Sequence, residues 1–196
     1  MDDDALVAKV RGGDLAAASV LLSRHQRVAY TAALRLLREP PDAEDVAQEA
    51  LVRAYTRIAE LQSGASFPAW LRRIAVNLSL NLLRRRGVLH IESLEGTGGD
   101  GDSRTPAQRF TDRSERTPEE AALDREHRDL IEELVGQLSP EQRVAVVLRD
   151  MYGYDVAEVA ALQRCGLSAA KMRIARGRAQ LRRLLGEERT RRDIVS

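Results

Sequence analysis

The chain has 196 residues, of which 43% are apolar but only 4% aromatic, and its 31 basic and 30 acidic residues nearly cancel to a formal charge of +1. Alanine and leucine dominate, which favours packed helices over a sheet core, so the expected fold is all-α. A single cysteine, Cys165, excludes an intramolecular disulfide and a cysteine-based zinc site. No uncharged apolar run approaches the ~20 residues that span a bilayer, so no membrane insertion is expected. The Met-Asp-Asp-Asp start lacks the basic and apolar parts of an export signal, and the reading is a cytoplasmic protein.

The near-neutral total hides segregation. Residues 61–91 hold five arginines and no acid, residues 118–158 hold eleven acids against four arginines, and residues 159–196 hold ten basic residues against three acids. Two separate basic patches therefore lie in one balanced chain.

In chain order, helical spacing runs from Val28 to Arg38 and stops at Glu39-Pro40-Pro41, because proline disfavours helical geometry in the residue before it. A second helix follows with Asp42 as its N-cap and Ala47, Leu51, Ala54, Ile58 and Leu61 as its buried stripe. Asp42, Asp45, Gln48 and Glu49 load its start with acid and amide groups. Carboxylates there suit a helix N-terminus, yet they also form a compact surface fit for a basic protein partner. Gln62-Ser63-Gly64-Ala65-Ser66 breaks the pattern.

A third helix is expected from about Pro68 to Arg86, with Leu71, Ile74, Leu78 and Leu82 facing inward. Arg73, Asn77, Asn81 and Arg84 follow at steps of four, four and three, flanked by Trp70 and Phe67. Asparagine lowers helix propensity. Its amide offers a donor and an acceptor to a base edge, arginines hold phosphate, and aromatic rings support unstacked bases. Asparagines merely tolerated on an exposed face are the plainer alternative.

From Gly87 to Thr117 small polar residues dominate, which indicates a flexible linker. Helical order resumes at Pro118, with Leu123, His127, Leu130, Leu134 and Leu138 on one face. Ser139-Pro140-Glu141-Gln142 then restarts a helix with a serine cap, a proline at the first position and a glutamine able to close a capping box.

Asp155-Val156-Ala157-Glu158 opens a short helix through Leu162, Cys165-Gly166-Leu167 turns the chain, and Ser168 caps a long basic helix. Such a helix-turn-helix places its second helix in the major groove of DNA. With Leu167, Ala170, Ile174, Leu181 and Leu184 inward, Ala169, Met172, Arg173 and Arg176 point outward and Lys171 lies on the flank. Arg178 falls near the apolar side, where it is expected to reach phosphate or pair with an acid. Ser168, Lys171, Met172, Arg173, Arg176 and Arg178 are the candidate duplex contacts. A basic helix docking on an acidic protein surface is the alternative.

Four segments in order carry a resemblance. They are Asp42 to Glu49, Phe67-Pro68-Ala69-Trp70-Leu71-Arg72-Arg73-Ile74-Ala75-Val76-Asn77, Leu138-Ser139-Pro140-Glu141-Gln142-Arg143, and Gly153-Tyr154 through Leu181. Together they resemble the extracytoplasmic-function (ECF) group of bacterial RNA polymerase sigma factors. The resemblance implies two small helical domains. Residues 1–86 would be region 2, 87–117 the linker, 118–186 the region 4 helix-turn-helix and 187–196 a short tail. It implies that Asp42, Asp45, Gln48 and Glu49 dock on the clamp helices of the polymerase β′ subunit and that region 4 meets the β flap. Leu61, Phe67, Trp70, Arg73, Asn77, Asn81 and Arg84 would capture a flipped base of the −10 promoter element, and the C-terminal helix would read −35 duplex. A cognate anti-sigma factor is a further implied partner, and no cofactor is implied.

This sequence departs from the family at Ser168-Ala169-Ala170-Lys171-Met172-Arg173, where a Gly-Thr-Val-Lys-Ser-Arg type of run is usual. Gly166 stands where proline is common, and Gln163-Arg164 where a leucine-glycine pair is frequent. Met172 could contact a thymine methyl group, or mark a surface for something else. A helix-turn-helix regulator acting without polymerase is the rival reading. An enzyme is not expected, because His25, His90 and His127 form no metal-spaced pair and no phosphate-binding loop or nucleophile motif occurs.

Overall fold

A computed structural model of the chain describes residues 1–61, 66–89 and 129–195, without the side chains of 189 and 191–195. They fall into two compact units, one comprising Met1–Val88 and the other containing the helices from 129 onward. Of the expected linker only Gly87 to Leu89 belong to the described residues. The helix expected from Pro118 is described only from residue 129, and His127 lies outside. Among the described residues there is no strand.

Two aspartates start the first unit. Asp2 caps α1 (Asp3–Arg11), accepting from Ala5 N at 2.8 Å, and Asp14 caps α2 (Leu15–Leu37), accepting from Ala17 N at 3.0 Å. α2 begins well before Val28, because Ala17, Ala18 and Leu21 extend the buried stripe of Ala29, Ala32, Ala33 and Leu36. It ends at Arg38 in the left-handed region (φ 65°). α3 (Pro40–Thr56) is entered from Glu39 with both prolines in its first turn, where no backbone donor is needed. Asp42 therefore lies inside the first turn and is not the N-cap.

α3 stops at Thr56, and a 3₁₀ turn at Ile58–Glu60 carries Ile58 and Leu61 inward; Ala47 and Ala54 are buried as expected, while Leu51 is half-buried. α4 (Phe67–Arg85) packs against both α2 and α3. That double contact takes in Ala75, Val76, Ser79 and Leu80 beside Leu71 and Leu78, and leaves Ile74 and Leu82 half-buried at its margins. The buried Ser79 hydroxyl is satisfied by donating to Ala75 O at 2.8 Å. Ala29, Ala33, Ala43, Ala50, Ala54 and Ala75 expose no surface, so the helices meet through small side chains while Leu36, Leu71 and Leu80 fill the spaces between.

The second unit holds α5 (129–136), α6 (Pro140–Val146), a π-helical turn (Val147–Met151), α7 (Val156–Gln163) and α8 (Leu167–Val195). Pro140 takes the first helical position, but Ser139 makes no side-chain cap bond, so the expected capping box does not form. Arg143, buried, instead donates to Gly136 O and Leu138 O, both at 3.5 Å, and holds the turn between α5 and α6. Val144 to Leu148 are buried without a break, and in the π turn Tyr152 N bonds Val147 O at 3.0 Å. Gly153 (φ 68°) supplies the left-handed residue that follows.

Asp155 and Glu158, which open the expected short helix, form a capping box with reciprocal bonds of 2.8 and 2.7 Å. α8 begins one residue before Ser168, so Ser168 is not its cap. α6 and α8 approach closely at Gly177, where a Cβ would lie 2.6 Å from Val146 Cγ2 and 3.3 Å from Gln142 O. That crossing sets the inward line at Ala170, Ile174, Gly177 and Leu184. Leu167, expected inward, is 49% exposed, and Leu181 is half-buried. Helix α8 also runs through residues 187–195, which the sequence set apart as a tail.

Candidate nucleic-acid and polymerase interfaces

The polar stripe on α4 exists, but its members differ in surroundings. Asn81 is exposed, whereas Trp70, Arg73, Asn77 and Arg84 are half-buried. Arg84 donates to Asn81 Oδ1, so these two side chains are engaged with each other. The Asn77 amide has no hydrogen-bond partner among the described residues. A half-buried amide held that way retains donors and an acceptor for a ligand. Two residues expected here as DNA contacts belong to the core instead. Leu61 is 4% and Phe67 2% exposed, because Phe67 packs its ring on His25 (centroids 5.5 Å) and Trp70 (6.2 Å) and presents no free face to a base.

On α3, Asp45, Gln48 and Glu49 form an exposed surface. Asp45 is unpaired among the described residues, and Glu49 accepts from Arg53 one turn on at 2.6 Å. Asp42 stands apart from this surface. Its carboxylate is clasped by both Nη atoms of Arg86, one of them at 2.8 Å, and the guanidinium holds the carboxyl below its ordinary value, chiefly through that hydrogen bond. The pair joins the first turn of α3 to the end of α4.

The basic residues of α8 divide the same way. Ser168, Lys171, Met172 and Arg176 are exposed, and among the described residues neither Lys171 nor Arg176 is paired. Arg173, expected to point outward, sits at the edge of the buried stripe with its side chain only 14% exposed, 3.8 Å from Glu141 of α6. Arg178 is bound by both oxygens of Asp150 in the π turn, which raises its pKa, so of the two fates expected for it this structure has the acid pair. Gln163, an unusual choice in this turn, is buried and donates to Glu141 O at 2.8 Å, tying α7 to α6. Met172, 52% exposed, is an apolar member of the open face.

Four residues of the first unit, Asp3, Arg11, Arg24 and His25, were given no positive role in the sequence analysis. Arg11 at the end of α1 donates through Nε to Ile58 O at 3.3 Å and through Nη2 to Leu61 O. His25 Nε2 donates to Asp3 Oδ2 at 2.7 Å, and Arg24 Nη1 to Asp3 Oδ1 at 2.8 Å. The signal was present in the caps Asp2 and Asp14 and in the spacing of Leu6, Val7 and Val10, which mark a buried helix.

Among the described residues, the first unit carries a polar stripe on an enclosed helix and the second is built on a basic helix-turn-helix. Residues 21–88 match the family model for Sigma-70 region 2, and residues 128–181 that for Sigma-70, region 4. The chain is 32% identical over 184 residues to the ECF RNA polymerase sigma factor SigM of Mycobacterium tuberculosis, covering 94% of this chain and 85% of SigM. It is 34% identical over 167 residues to the ECF RNA polymerase sigma factor SigE of Mycolicibacterium smegmatis, covering 85% of this chain but only 61% of SigE. Among solved structures it is similar to CnrH in complex with the cytosolic domain of CnrY, with a TM-score of 0.51, 26% identity, and coverage of 95% of this chain and 99% of that one. The chain belongs to the ECF RNA polymerase sigma factors. Such proteins are transcription initiation factors rather than enzymes, and they act by binding RNA polymerase core and promoter DNA. No helix among the described residues is long and apolar enough to cross a membrane.

Proposed function

We propose that this sigma factor opens promoters by capturing an extruded −10 base on the face of α4 that carries Trp70 and Asn77, while α8 reads the −35 element as duplex. The observation that carries this reading is the unpartnered, half-buried amide of Asn77, about two turns beyond Trp70 and so on the same side of α4. Unstacking a base costs a few kcal/mol, and a site that binds only the extruded base offsets that cost and so drives melting. Arg73, Asn81 and Arg84 then hold the strand by its phosphates. On α8 the contacts fall to Ser168, Lys171, Met172 and Arg176, with Met172 against a thymine methyl group.

Asp45, Gln48 and Glu49 dock on the β′ clamp helices, while Asp42 is held by Arg86, and the second unit engages the β flap. Residues 1–86 serve polymerase and the −10 element, 118–186 the −35 element, and 87–117 connect them, so that polymerase turns two weak grips on DNA into one strong one. Regulation by a cognate anti-sigma factor in the cytoplasm completes the reading.

The test is Asn77→Ala in the full chain with core polymerase, on promoters identified by mapping transcript starts. Opening slows roughly tenfold or more, the loss expected of a base-reading side chain, while affinity for core is unchanged. Equal loss of core affinity would remove Asn77 from the assigned role.

A further inference from the structure

We infer that α1 is a positioning element for promoter opening, acting through Arg11 and through the Asp3–His25 pair; the inference rests on the reading of α4 given above. The matched region 2 segment starts at residue 21, so α1 lies outside it. Yet α1 holds the chain at both points that bracket residues 62–65. On the entering side, the Arg11 guanidinium bonds the carbonyls of Ile58 and Leu61, at the end of the 3₁₀ turn that follows α3. On the leaving side, Asp3 accepts from His25 of α2, whose ring packs on Phe67, the first residue of α4, and Phe67 packs in turn on Trp70. Asp3 also accepts from Arg24, so one carboxylate orders two neighbouring side chains of α2.

Ile58, Leu61 and Phe67 are buried and the His25 side chain is 12% exposed, so the Arg11 bonds and the Asp3–His25 bond are partly shielded from water, while the Asp3–Arg24 bond is exposed. A reading surface loses its effect when displaced by about 0.5 Å, and rigid supporting bonds prevent that displacement. In this proposal Arg11 and His25 act without contacting DNA. Their effect passes through the Leu61 backbone and the Phe67 ring to Trp70.

The experiment uses the full chain with core polymerase and compares Arg11→Ala, Arg11→Lys and Asp3→Asn with Asn77→Ala. Promoter opening, core affinity and the thermal midpoint of the sigma factor are measured for each. Arg11→Ala and Asp3→Asn slow opening roughly tenfold, about what loss of a supporting hydrogen bond allows, with core affinity retained, and Arg11→Lys restores part of the rate. If Asn77→Ala slows opening and the α1 variants do not, the inference fails alone. If none of them slows opening, the reading of α4 fails and takes the inference with it. If opening, core affinity and thermal midpoint fall together in Arg11→Ala and Asp3→Asn, α1 is a structural prop and the inference is overturned.

Discussion

The two units present their functional helices in opposite ways. α4 is embedded between α2 and α3, and its polar stripe emerges at the edge of a core whose alanines expose nothing. α8 lies on the outside of its unit, anchored by the crossing at Gly177, and turns a whole face with Ser168, Met172 and Arg176 to solvent. An embedded helix suits a task that depends on a fixed pocket edge, such as holding one extruded base. An exposed helix suits insertion into a groove that is already formed. The same contrast governs the arginines. Those of α8 are sorted into paired and unpaired by partners on α6 and the π turn, whereas α4 adds amides to its cations.

The largest effect tests how α8 is anchored. Gly177→Leu places a side chain where even a Cβ meets Val146 and Gln142, and the overpacking destabilises the second unit by about 3 kcal/mol. Thermal unfolding should show this loss in the second unit, with core binding through α3 spared. A transition unchanged from that of the parent would mean that α6 and α8 do not cross there.

A smaller effect separates the cations of α8. Arg176→Ala weakens binding to −35 duplex by about 1 to 3 kcal/mol if its contact is bidentate to guanine. Arg178→Ala loses less, because binding DNA with Arg178 would first break its pair with Asp150. Titrating labelled −35 duplex with the polymerase-bound variants measures both, and equal losses would show that the pairing with Asp150 does not hold Arg178 back.

The smallest effect belongs to the Asp42–Arg86 pair. Because the folded carboxyl titrates below its ordinary value, the pair's contribution is present above the unfolded-state pKa and is lost as pH falls through the depressed folded value. Asp42→Asn therefore lowers the thermal midpoint slightly at neutral pH, and the difference from the parent vanishes in strong acid. A large fall in core affinity at neutral pH would instead assign Asp42 to the polymerase surface.

Local signals fixed much of this molecule in advance. The capping box at Asp155 and Glu158, the proline start at Pro140, the helix stop before Pro40 and the apolar spacing of α3 and α8 are properties of neighbouring residues, and each lies near its expected place. The polar stripe of α4 and the acidic start of α3 were legible for the same reason, since a stripe is a spacing. What could not be read is which of those side chains remain available. Arg86 finds Asp42 across 44 residues, Arg11 finds Leu61 across 50, and Arg178 finds Asp150 across 28. Phe67 looked like an exposed aromatic until the ring of His25 covered it. Sequence determined the helices and the chemical types they carry, because these depend on contacts within a few residues. Tertiary structure decided which amide, which arginine and which carboxylate are left free for DNA and polymerase, because pairing across the fold depends on packing that no local pattern encodes.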